Sequence, residues 1–358
     1  MKAYYLQIWF QEDFRNYWSE CPWEEDLQYC QAVCDKLNVP LEVVPLTEQY
    51  WDKVVTHCIE EVQAGRTPNP DVWCNSRVKF GAFMEYLETQ ATGKWDYIAS
   101  GHYARIEHNE QGFSRLALTP DSIKDQTYFL AHLTQHQLSK VLFPLGWLTK
   151  AQVRSLAAAA SLPNQDRKDS QGICFLGKVK FGEFIETHLG SWPGPLIEEE
   201  TDQVVGYHRG FWFHTIGQRK GIQLSGGPWY VSRKDPTMNA VYVSRQSAHQ
   251  LMDDQLCLES LHSSFYCEKV HWTSSVRPSE LYPLYCKVRH GPNMYRCLHV
   301  AFGTSDDAMI TIDGIDQGLA PGQYAVFYQE GYCLGCGVIS DEGGVRRRFK
   351  ESSVIHYA

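Results

Sequence analysis

The sequence has neither a long hydrophobic run nor an excess of basic residues. Its 358 residues hold no apolar stretch near the roughly 18 residues that a membrane-spanning helix needs. The formal net charge of −9 is not typical of a nucleic-acid-binding protein, although a basic face can be local. Residues 1–10 lead into Gln11-Glu12-Asp13 without a small-residue cleavage site, and they lack the Arg and Ser of a transit peptide. We therefore expect no membrane partner. With no presequence visible, the compartment is an organelle (plastid or mitochondrion) or the cytoplasm.

The sequence also lacks internal repeats and low-complexity tracts. Hydrophobic residues at 43% and aromatic residues at 13% are typical of a folded globular protein. The length predicts two or three domains. The 12 cysteines come without a secretory signal, so we expect reduced thiols rather than a disulfide framework.

The first part of the chain alternates predicted strands and helices. Apolar periodicity predicts strands at residues 4–10, 41–44 and 95–100, and helices at 24–37, 47–64 and 78–90. This alternation indicates a parallel α/β sheet, in which ligands bind beyond the carboxyl ends of the strands. Ser100-Gly101-His102 follow one such end. Cys30 and Cys34 share a helix face, either as a metal pair or, as we favour, as part of the core.

The later part of the chain changes from helices to short β segments. Residues 104–118 predict a hairpin, and Thr134-x-x-Gln137 and Thr149-x-x-Gln152 are capping boxes that open two helices. The polar run of residues 164–174 predicts a mobile loop over a site. From about Gly206, Gly and Pro punctuate strands that predict a β-barrel: 211–215, 229–231, 240–244, 284–288, 309–312 and 324–328. We place three domains at residues 1–177, 178–230 and 231–358.

Residues 65–80 form the segment in which chemistry is most concentrated. Pro68 and Pro70 predict a stiff, extended turn rather than a helix. This turn carries Asp71 and Cys74 among three cations, a setting that favours a reactive thiolate; the alternative is a surface loop with an incidental cysteine. Cys174 has cations close in sequence too, and two such thiols can form a transient disulfide.

Two further motifs are interpreted as structural. Cys333-Leu334-Gly335-Cys336 lies in β-like sequence, without a second CxxC or a His pair at zinc spacing. Ser225-Gly226-Gly227 resembles the start of a phosphate loop, but Pro228 and a strand follow it, whereas a phosphate loop leads into a helix N-terminus. Basic residues interleaved with Trp212, Phe213 and His214 are what a local RNA-binding face would require.

These motifs together resemble the tRNA-uridine 2-sulfurtransferases, also called 2-thiouridylases. The resemblance rests on motifs that follow one another in order over nearly the whole chain: Gly65-Arg66-Thr67-Pro68-Asn69-Pro70-Asp71, Cys74-Asn75, Gly101-His102-Tyr103-Ala104-Arg105, Lys124-Asp125-Gln126, Phe143-Pro144-Leu145-Gly146, Lys168-Asp169-Ser170-Gln171-Gly172-Ile173-Cys174-Phe175, Thr215-Ile216-Gly217-Gln218-Arg219, Pro228-Trp229-Tyr230-Val231 and Pro321-Gly322-Gln323. It implies an α/β fold: a parallel-sheet, Rossmann-like ATP-pyrophosphatase domain, a small central domain and a C-terminal β-barrel.

The resemblance also implies a reaction. ATP, with Mg²⁺, adenylates the C2 oxygen of the wobble uridine of tRNA, and a persulfide on Cys174 delivers sulfur to C2. Cys74 is the second catalytic cysteine and can end in a disulfide with Cys174, and Asp71 is the acid/base. A sulfur-relay protein or a cysteine desulfurase supplies the persulfide. The base is flipped out of the anticodon stack to expose C2.

Further positions follow from the same resemblance. Gly101 and Leu6 fall at its ATP positions. The residues at its tRNA-contact positions are Asn69, Pro70, Asp71, His102, Lys124, Asp125, Gln126, Arg289, His290 and Gln323.

The sequence departs from the family at its start. The family begins with a strand, an SGGxDS phosphate loop and a helix, and nothing before Tyr4 supplies them. We expect a truncated gene model as the reason. The alternative function is a non-catalytic tRNA-binding remnant that has lost ATP binding, and a thiol redox protein unrelated to RNA is a third.

Overall fold

The computed structural model describes residues 1–8, 22–90, 94–110, 112–167, 181–245, 264–274, 276–303, 306–314, 316, 319–340 and 354–357. The chain divides into two compact units. The first combines Met1–His57 with Pro70–Phe184, and the second combines Cys58–Asn69 with Ile185–Ala358. Within the described ranges, no helix is both long and apolar enough to cross a bilayer.

The first unit contains two pairs of parallel strands and one hairpin. Strand β1 pairs with β2, β3 pairs with β6, and β4 pairs antiparallel with β5. The hairpin confirms the prediction for residues 104–118. The bounds are β1 Ala3–Gln7, β2 Leu41–Pro45, β3 Ile98–Ala99, β4 Arg105–His108, β5 Ser114–Ala117 and β6 Val141–Leu142.

The helices of the first part of the chain lie between these strands, which is the order expected of an α/β domain. Helix α1 spans Pro22–Leu37. Helix α2 runs through residues 47–63, in the consecutive segments Thr47–Tyr50, Trp51–Val55 and Thr56–Gln63. Helix α3 runs through residues 70–89, in the segments Pro70–Trp73, Cys74–Ala82 and Phe83–Thr89. The middle segments of α2 and α3 have π-helical turns.

Four further helices follow. Both predicted capping boxes are present: the Thr134 and Thr149 side chains accept from the amides of Gln137 and Gln152, whose side chains bond back. The helices are α4 Thr127–Leu130, α5 Gln135–Leu138, α6 Lys150–Ala159 and α7 Phe181–Leu189.

A four-stranded sheet begins the C-terminal part of the second unit. Its strand order is β8-β7-β10-β9, with β10 parallel to β7 and antiparallel to β9. Phe211 and Trp229 pack in the apolar core of this sheet. The bounds are β7 Gly194–Glu198, β8 Val204–His208, β9 Tyr230–Asp235 and β10 Ala240–Ser244.

Six strands then close into a barrel. The order β11-β14-β13-β12-β15-β16 is closed by an antiparallel pairing of β16 with β11, so none of the six is left as an open edge. A core of buried residues, including Val300 and Phe327, fills it. The bounds are β11 Ser264–Trp272, β12 Tyr285–Lys287, β13 Tyr295–Phe302, β14 Ala308–Ile312, β15 Tyr324–Gln329 and β16 Tyr332–Ser340; β17, Val354–His356, pairs with β13.

Two predictions about local structure are wrong. Residues 65–80 are not one extended turn, because α3 begins at Pro70. Proline is well suited to the first helical position, where its missing N–H has no intrahelical partner to lose. Residues 211–215 are not a strand: Phe211–Phe213 is a 3₁₀ turn, with Phe211 buried.

Candidate active site

Helix α3 carries the predicted catalytic pair of its segment. Asp71 lies in the first turn, where the helix dipole favours a carboxylate, and Cys74 follows one turn later. The Cys74 side chain is fully buried. The expectation of a partly exposed thiol is therefore wrong for this structure.

The segment that precedes α3 is held by the barrel residue Gln323, within the second unit. The Gln323 side-chain amide donates to the carbonyls of Thr67 and Pro68 at 3.0 and 3.1 Å, and its oxygen accepts from Asn69 Nδ2 at 3.3 Å. The Thr67 amide donates to the Pro321 carbonyl at 2.7 Å. Two predicted tRNA-contact residues, Asn69 and Gln323, are thus brought together.

Two further features constrain the same segment: the close approach of Gly322 and an ion pair between Arg66 and Glu61. Gly322 has φ 91°, and an added Cβ would lie 2.9 Å from the Thr67 carbonyl oxygen, so a larger residue is excluded. The Arg66 guanidinium donates twice to the Glu61 carboxylate, at 2.6 and 2.5 Å. Glu61 is only 8% exposed, so this bidentate pair fixes the chain just before the two prolines.

Inside the first unit, a chain of polar side chains connects the end of β3 to α3. Ser100 Oγ lies 2.8 Å from His102 Nδ1, and His102 Nε2 lies 3.2 Å from Asn75 Oδ1. Asn75 Nδ2 donates to the Phe129 carbonyl at 3.2 Å, which identifies Oδ1 as the acceptor towards His102. His102 therefore carries its proton on Nε2, and Nδ1 accepts from Ser100.

The imidazole of His102 is neutral at physiological pH. Burial, followed by the nearby Lys79 charge, lowers its pKa to about 3. The rings of Phe80 and Phe143 pack against it, each with a centroid distance of 5.7 Å. His102 thus positions the residue next to Cys74, and its predicted contact with tRNA stays a prediction.

Asp125 and Gln126 act as braces in the same unit. The Asp125 carboxylate, 4% exposed, accepts from the Thr119 and Thr127 amides at 2.8 and 3.0 Å. Gln126 binds Tyr103 twice, through its amide to the Tyr103 carbonyl and through its side-chain oxygen from the Tyr103 amide. These bonds hold the loop in front of α4 against the residue that follows His102.

Arg289 and His290 lie on a loop after β12 in the second unit. Arg289 is half-exposed and pairs with Asp316, which is 2% exposed and also accepts from the Tyr295 hydroxyl at 2.7 Å. Burial and the Asp316 carboxylate raise the pKa of Tyr295 to about 12. The His290 side chain is exposed. A cation and an imidazole are thus presented side by side.

The structural interpretation of the CxxC fits its surroundings. Cys333 and Cys336 lie on β16 and are 2% and 0% exposed. Burial raises the pKa of the Cys336 thiol, which disfavours a reactive thiolate. Cys34 is buried and Cys30 partly so, as expected of a core stripe, and within the described ranges no group of three or more His, Cys, Asp or Glu side chains could hold a metal ion.

The sequence matches known families along most of its length. Residues 1–178 match the tRNA methyl transferase HUP domain, 182–245 the tRNA methyl transferase PRC-barrel domain, and 262–339 the aminomethyltransferase beta-barrel domain. A protein of Parabacteroides distasonis named tRNA-specific 2-thiouridylase MnmA is 40% identical over 345 residues, which are 95% of this chain and 91% of the relative. The chain belongs to the 2-thiouridylase family.

Other members give similar values. Proteins of the same name from Porphyromonas gingivalis W83 and Hydrogenovibrio crunogenus are 41% and 38% identical, over 94% and 95% of this chain and 91% and 87% of the relatives. These matches confirm the resemblance drawn from the motifs. They also confirm the predicted order of an α/β domain, a small central domain and a C-terminal barrel. The exact boundaries at residues 177 and 230 stay predictions.

The two predicted nucleotide positions of the family lie on and just after strands of the first unit, Leu6 on β1 and Gly101 after β3. Leu6 on β1 lines a cleft, and Gly101 is exposed with open space beside it, since an added Cβ would meet only Leu145 at 3.7 Å. The loop after β3 leads through Tyr103 into β4, however, and not into a helix N-terminus that could hold phosphates. Residues 225–227 form a bend before β9 in the second unit, as predicted. Among the described residues, the phosphates have no such cradle.

Cys174 lies outside the described residues, as do residues 168–173 of the predicted loop. Residue-level reasoning from the sequence missed Ser100, Asn75, Glu61 and Asp316 as supporting residues. The available signal was position in the sequence, since Asn75 belongs to the Cys74-Asn75 motif and Ser100 directly precedes the motif residue Gly101. Glu61 and Asp316 had no local signal, because their partners are recognisable only in the folded chain.

Proposed function

We propose that this chain transfers sulfur to C2 of the wobble uridine of tRNA. The observation that supports the proposal best is the combination of family membership with Cys74 and Asp71 one turn apart at the start of α3. Their places on one helix, which begins at Pro70, give both groups a fixed separation.

The two cysteines would divide the chemistry. The terminal sulfur of a Cys174 persulfide attacks C2, and the C2–O bond breaks, with the oxygen leaving on its activating group. The Cys74 thiolate then attacks the Cys174 sulfur and breaks the S–S bond, and its electron pair goes to the sulfur on C2. The products are 2-thiouridine and a Cys74–Cys174 disulfide. Asp71 would move a proton at the base.

Activation of the C2 oxygen by ATP and Mg²⁺ belongs to the proposal through the family alone. The loop after β3 leads into β4 and not into a helix N-terminus that could hold phosphates, so the group that activates the oxygen is assigned to no described residue. A desulfurase or sulfur-relay protein would load Cys174.

Expression in a bacterial strain that lacks its own 2-thiouridylase tests the proposal. Mass spectrometry of tRNA nucleosides should find 2-thiouridine with the wild-type chain and none with Cys174→Ser or Cys74→Ser. Cys58→Ser is the matched control, because Cys58 is also fully buried but lies on α2. Persistence of 2-thiouridine in the Cys174→Ser strain would remove that residue from the mechanism.

A second candidate is a tRNA-binding protein without thiolation activity. The missing phosphate cradle among the described residues favours it. In that case tRNA would co-purify with the chain, through groups such as Lys124 and Arg289, while the strain stayed free of 2-thiouridine.

A further inference from the structure

Trp147 is an exposed aromatic residue whose ring is covered on one face only. It is 64% exposed, and the guanidinium carbon of Arg105 lies 4.2 Å from the centroid of its indole ring. The exposed part of the ring is therefore its other face and its edges. A single exposed aromatic residue is not unusual in itself, so its surroundings decide what the ring can do.

Arg105 holds the covered face of the indole in a fixed orientation. It is a residue of β4, its Nε donates to the Leu118 carbonyl at 2.7 Å, and its guanidinium lies 3.3 Å from the Glu107 carboxylate. A planar guanidinium fixed in this way stacks well on an aromatic ring. Because the ring is oriented before it meets a partner, binding costs less conformational entropy.

The backbone of the loop that carries Trp147 is equally constrained. At Gly146, an added Cβ would lie only 1.9 Å from the Ala104 carbonyl oxygen, so the close approach requires glycine. The amides of Gly146 and Leu148 donate to the carbonyls of Phe143 and Leu145, at 3.1 and 3.0 Å. Tight turns on both sides thus determine where the indole stands.

This loop lies at the edge of the unit where a ligand is expected. It follows β6, which pairs in parallel with β3, so the loops after both strands open at the same edge. Ligands of α/β sheets bind at this edge. Phe143, the first residue after β6, packs against the ring of His102, which follows β3. Trp147 is four residues further along the same loop.

The Asp121 carboxylate connects this loop to Lys124, a predicted tRNA-contact residue. It accepts from the Lys150 amide at 2.9 Å and from the Ile123 and Lys124 amides at 3.2 Å each. Lys124 and Lys150 are therefore anchored at one carboxylate, and Lys150 is only three residues from Trp147. Cationic side chains of this kind suit the phosphates of a nucleic acid.

We propose that Trp147 stacks on an unpaired base of the tRNA other than the target uridine, with Arg105 behind the ring and Lys150 at a neighbouring phosphate. The inference rests on the proposed function, because it takes tRNA as the occupant. The charges favour this choice: an open aromatic face for a base, next to cations for the backbone, is what binding to single-stranded RNA uses.

Stacking of this kind tolerates any base, because every base has a π-face. Trp147 should therefore add affinity for the loop that contains the target uridine without selecting a sequence. Loss of one stacked base is expected to weaken binding about tenfold or more. It should leave the salt dependence of binding unchanged, since stacking neutralises no phosphate.

Equilibrium binding of a tRNA transcript with a wobble uridine to the 358-residue chain tests the proposal. Trp147→Ala and Trp147→Leu should each raise the dissociation constant about tenfold or more, because neither side chain can stack, whereas Trp147→Phe should keep most of the affinity. Lys150→Ala should reduce the salt slope by about 1. Ultraviolet crosslinking of the wild-type complex, read by mass spectrometry, should find a nucleotide on the Trp147 peptide.

Phe113→Ala is the matched control, because Phe113 is 46% exposed in the same unit but precedes β5 in the hairpin turn. Its dissociation constant should equal that of the wild type, and urea unfolding checks that each variant is folded. If Trp147→Ala does not fold, the comparison of Trp147→Phe with Trp147→Leu decides.

Four outcomes would overturn the inference. With tRNA bound by the wild type, an unchanged dissociation constant in Trp147→Ala, an equal loss in Trp147→Phe and Trp147→Leu, or an equal loss in Phe113→Ala would overturn this inference alone. The first of these is also the result expected if the ring docks a protein instead. Absence of any tRNA binding by the wild-type chain would overturn the proposed function together with it.

Discussion

Replacing Asn75 with alanine should open the buried Cys74 to thiol reagents. Asn75 is 3% exposed and connects α3 to two elements of its unit, through the Phe129 carbonyl and through His102 Nε2, each at 3.2 Å. Cys74 is the preceding residue and is fully buried. A reagent therefore reaches its sulfur only after a local opening of the structure around it.

The size of the effect follows from the two lost hydrogen bonds. Each contributes about 1 kcal/mol net, so the local opening becomes easier by about 2 kcal/mol. Since about 1.4 kcal/mol corresponds to a factor of ten, the labelling rate of Cys74 should rise by roughly thirtyfold. This estimate holds where reclosing is faster than labelling, the regime in which the rate follows the open population.

Pulse labelling under native conditions, read by mass spectrometry of the Cys74 peptide, measures this rate. Asn109→Ala is the matched control, because it removes a hydrogen bond to the Phe113 amide in an exposed turn of the same unit. Cys336, buried in the barrel, serves as an internal reference. A wild-type rate in Asn75→Ala, or an equal rise at Cys336, would refute the reasoning.

Two further predictions concern charge. Because the pKa of His102 is about 3 when folded and about 6.5 when unfolded, the unfolded chain binds the extra proton. The contribution of neutral His102 to the free energy of unfolding is therefore complete above a pH of about 6.5 and is lost as the pH falls towards 3. At pH 5.5 the loss is about 1.4 kcal/mol. Urea unfolding of the first unit at pH 7.5 and 5.5 should show this loss, and His102→Gln should reduce it; an equal loss in the variant would contradict the assignment. For Lys124 and Asp125, we expect Lys124→Ala to reduce the salt slope of tRNA binding by about 1. Asp125→Asn should lower the free energy of unfolding by about 1–3 kcal/mol and leave the salt slope of tRNA binding unchanged, because the Asp125 carboxylate accepts from two backbone amides. A changed salt slope in Asp125→Asn together with an unchanged one in Lys124→Ala would contradict these roles.

The sequence predicted elements whose signals are local. Apolar periodicity predicted α1, β2 and α2 nearly to their ends, and both capping boxes lie where the Thr-x-x-Gln pattern put them. The hairpin of β4 and β5 follows from its turn residues. Such signals need only the residues of one element, so tertiary packing does not change them.

Signals that depend on context were harder to interpret. Two prolines within three residues predicted an extended turn, yet Pro70 opens a helix because its fixed φ is compatible with the first helical position. The aromatic run at residues 211–215 predicted a strand but forms a 3₁₀ turn around the buried Phe211. Strands β7 and β8 of the four-stranded sheet and β11, β13 and β16 of the barrel were not predicted, because half-buried strands with irregular alternation give a weak pattern.

The polar residues at the predicted tRNA-contact positions divide by how their side chains are already used. Asp125, Gln126 and Gln323 commit carboxylate or amide atoms to backbone groups, and His102 commits both ring nitrogens to Ser100 and Asn75. Breaking any of these bonds to contact RNA would leave a polar partner group unpaired, at a cost of about 1–3 kcal/mol where that group is buried. Direct RNA contact by these four side chains is therefore costly, and we expect them to contribute by holding their own loops and helices in place.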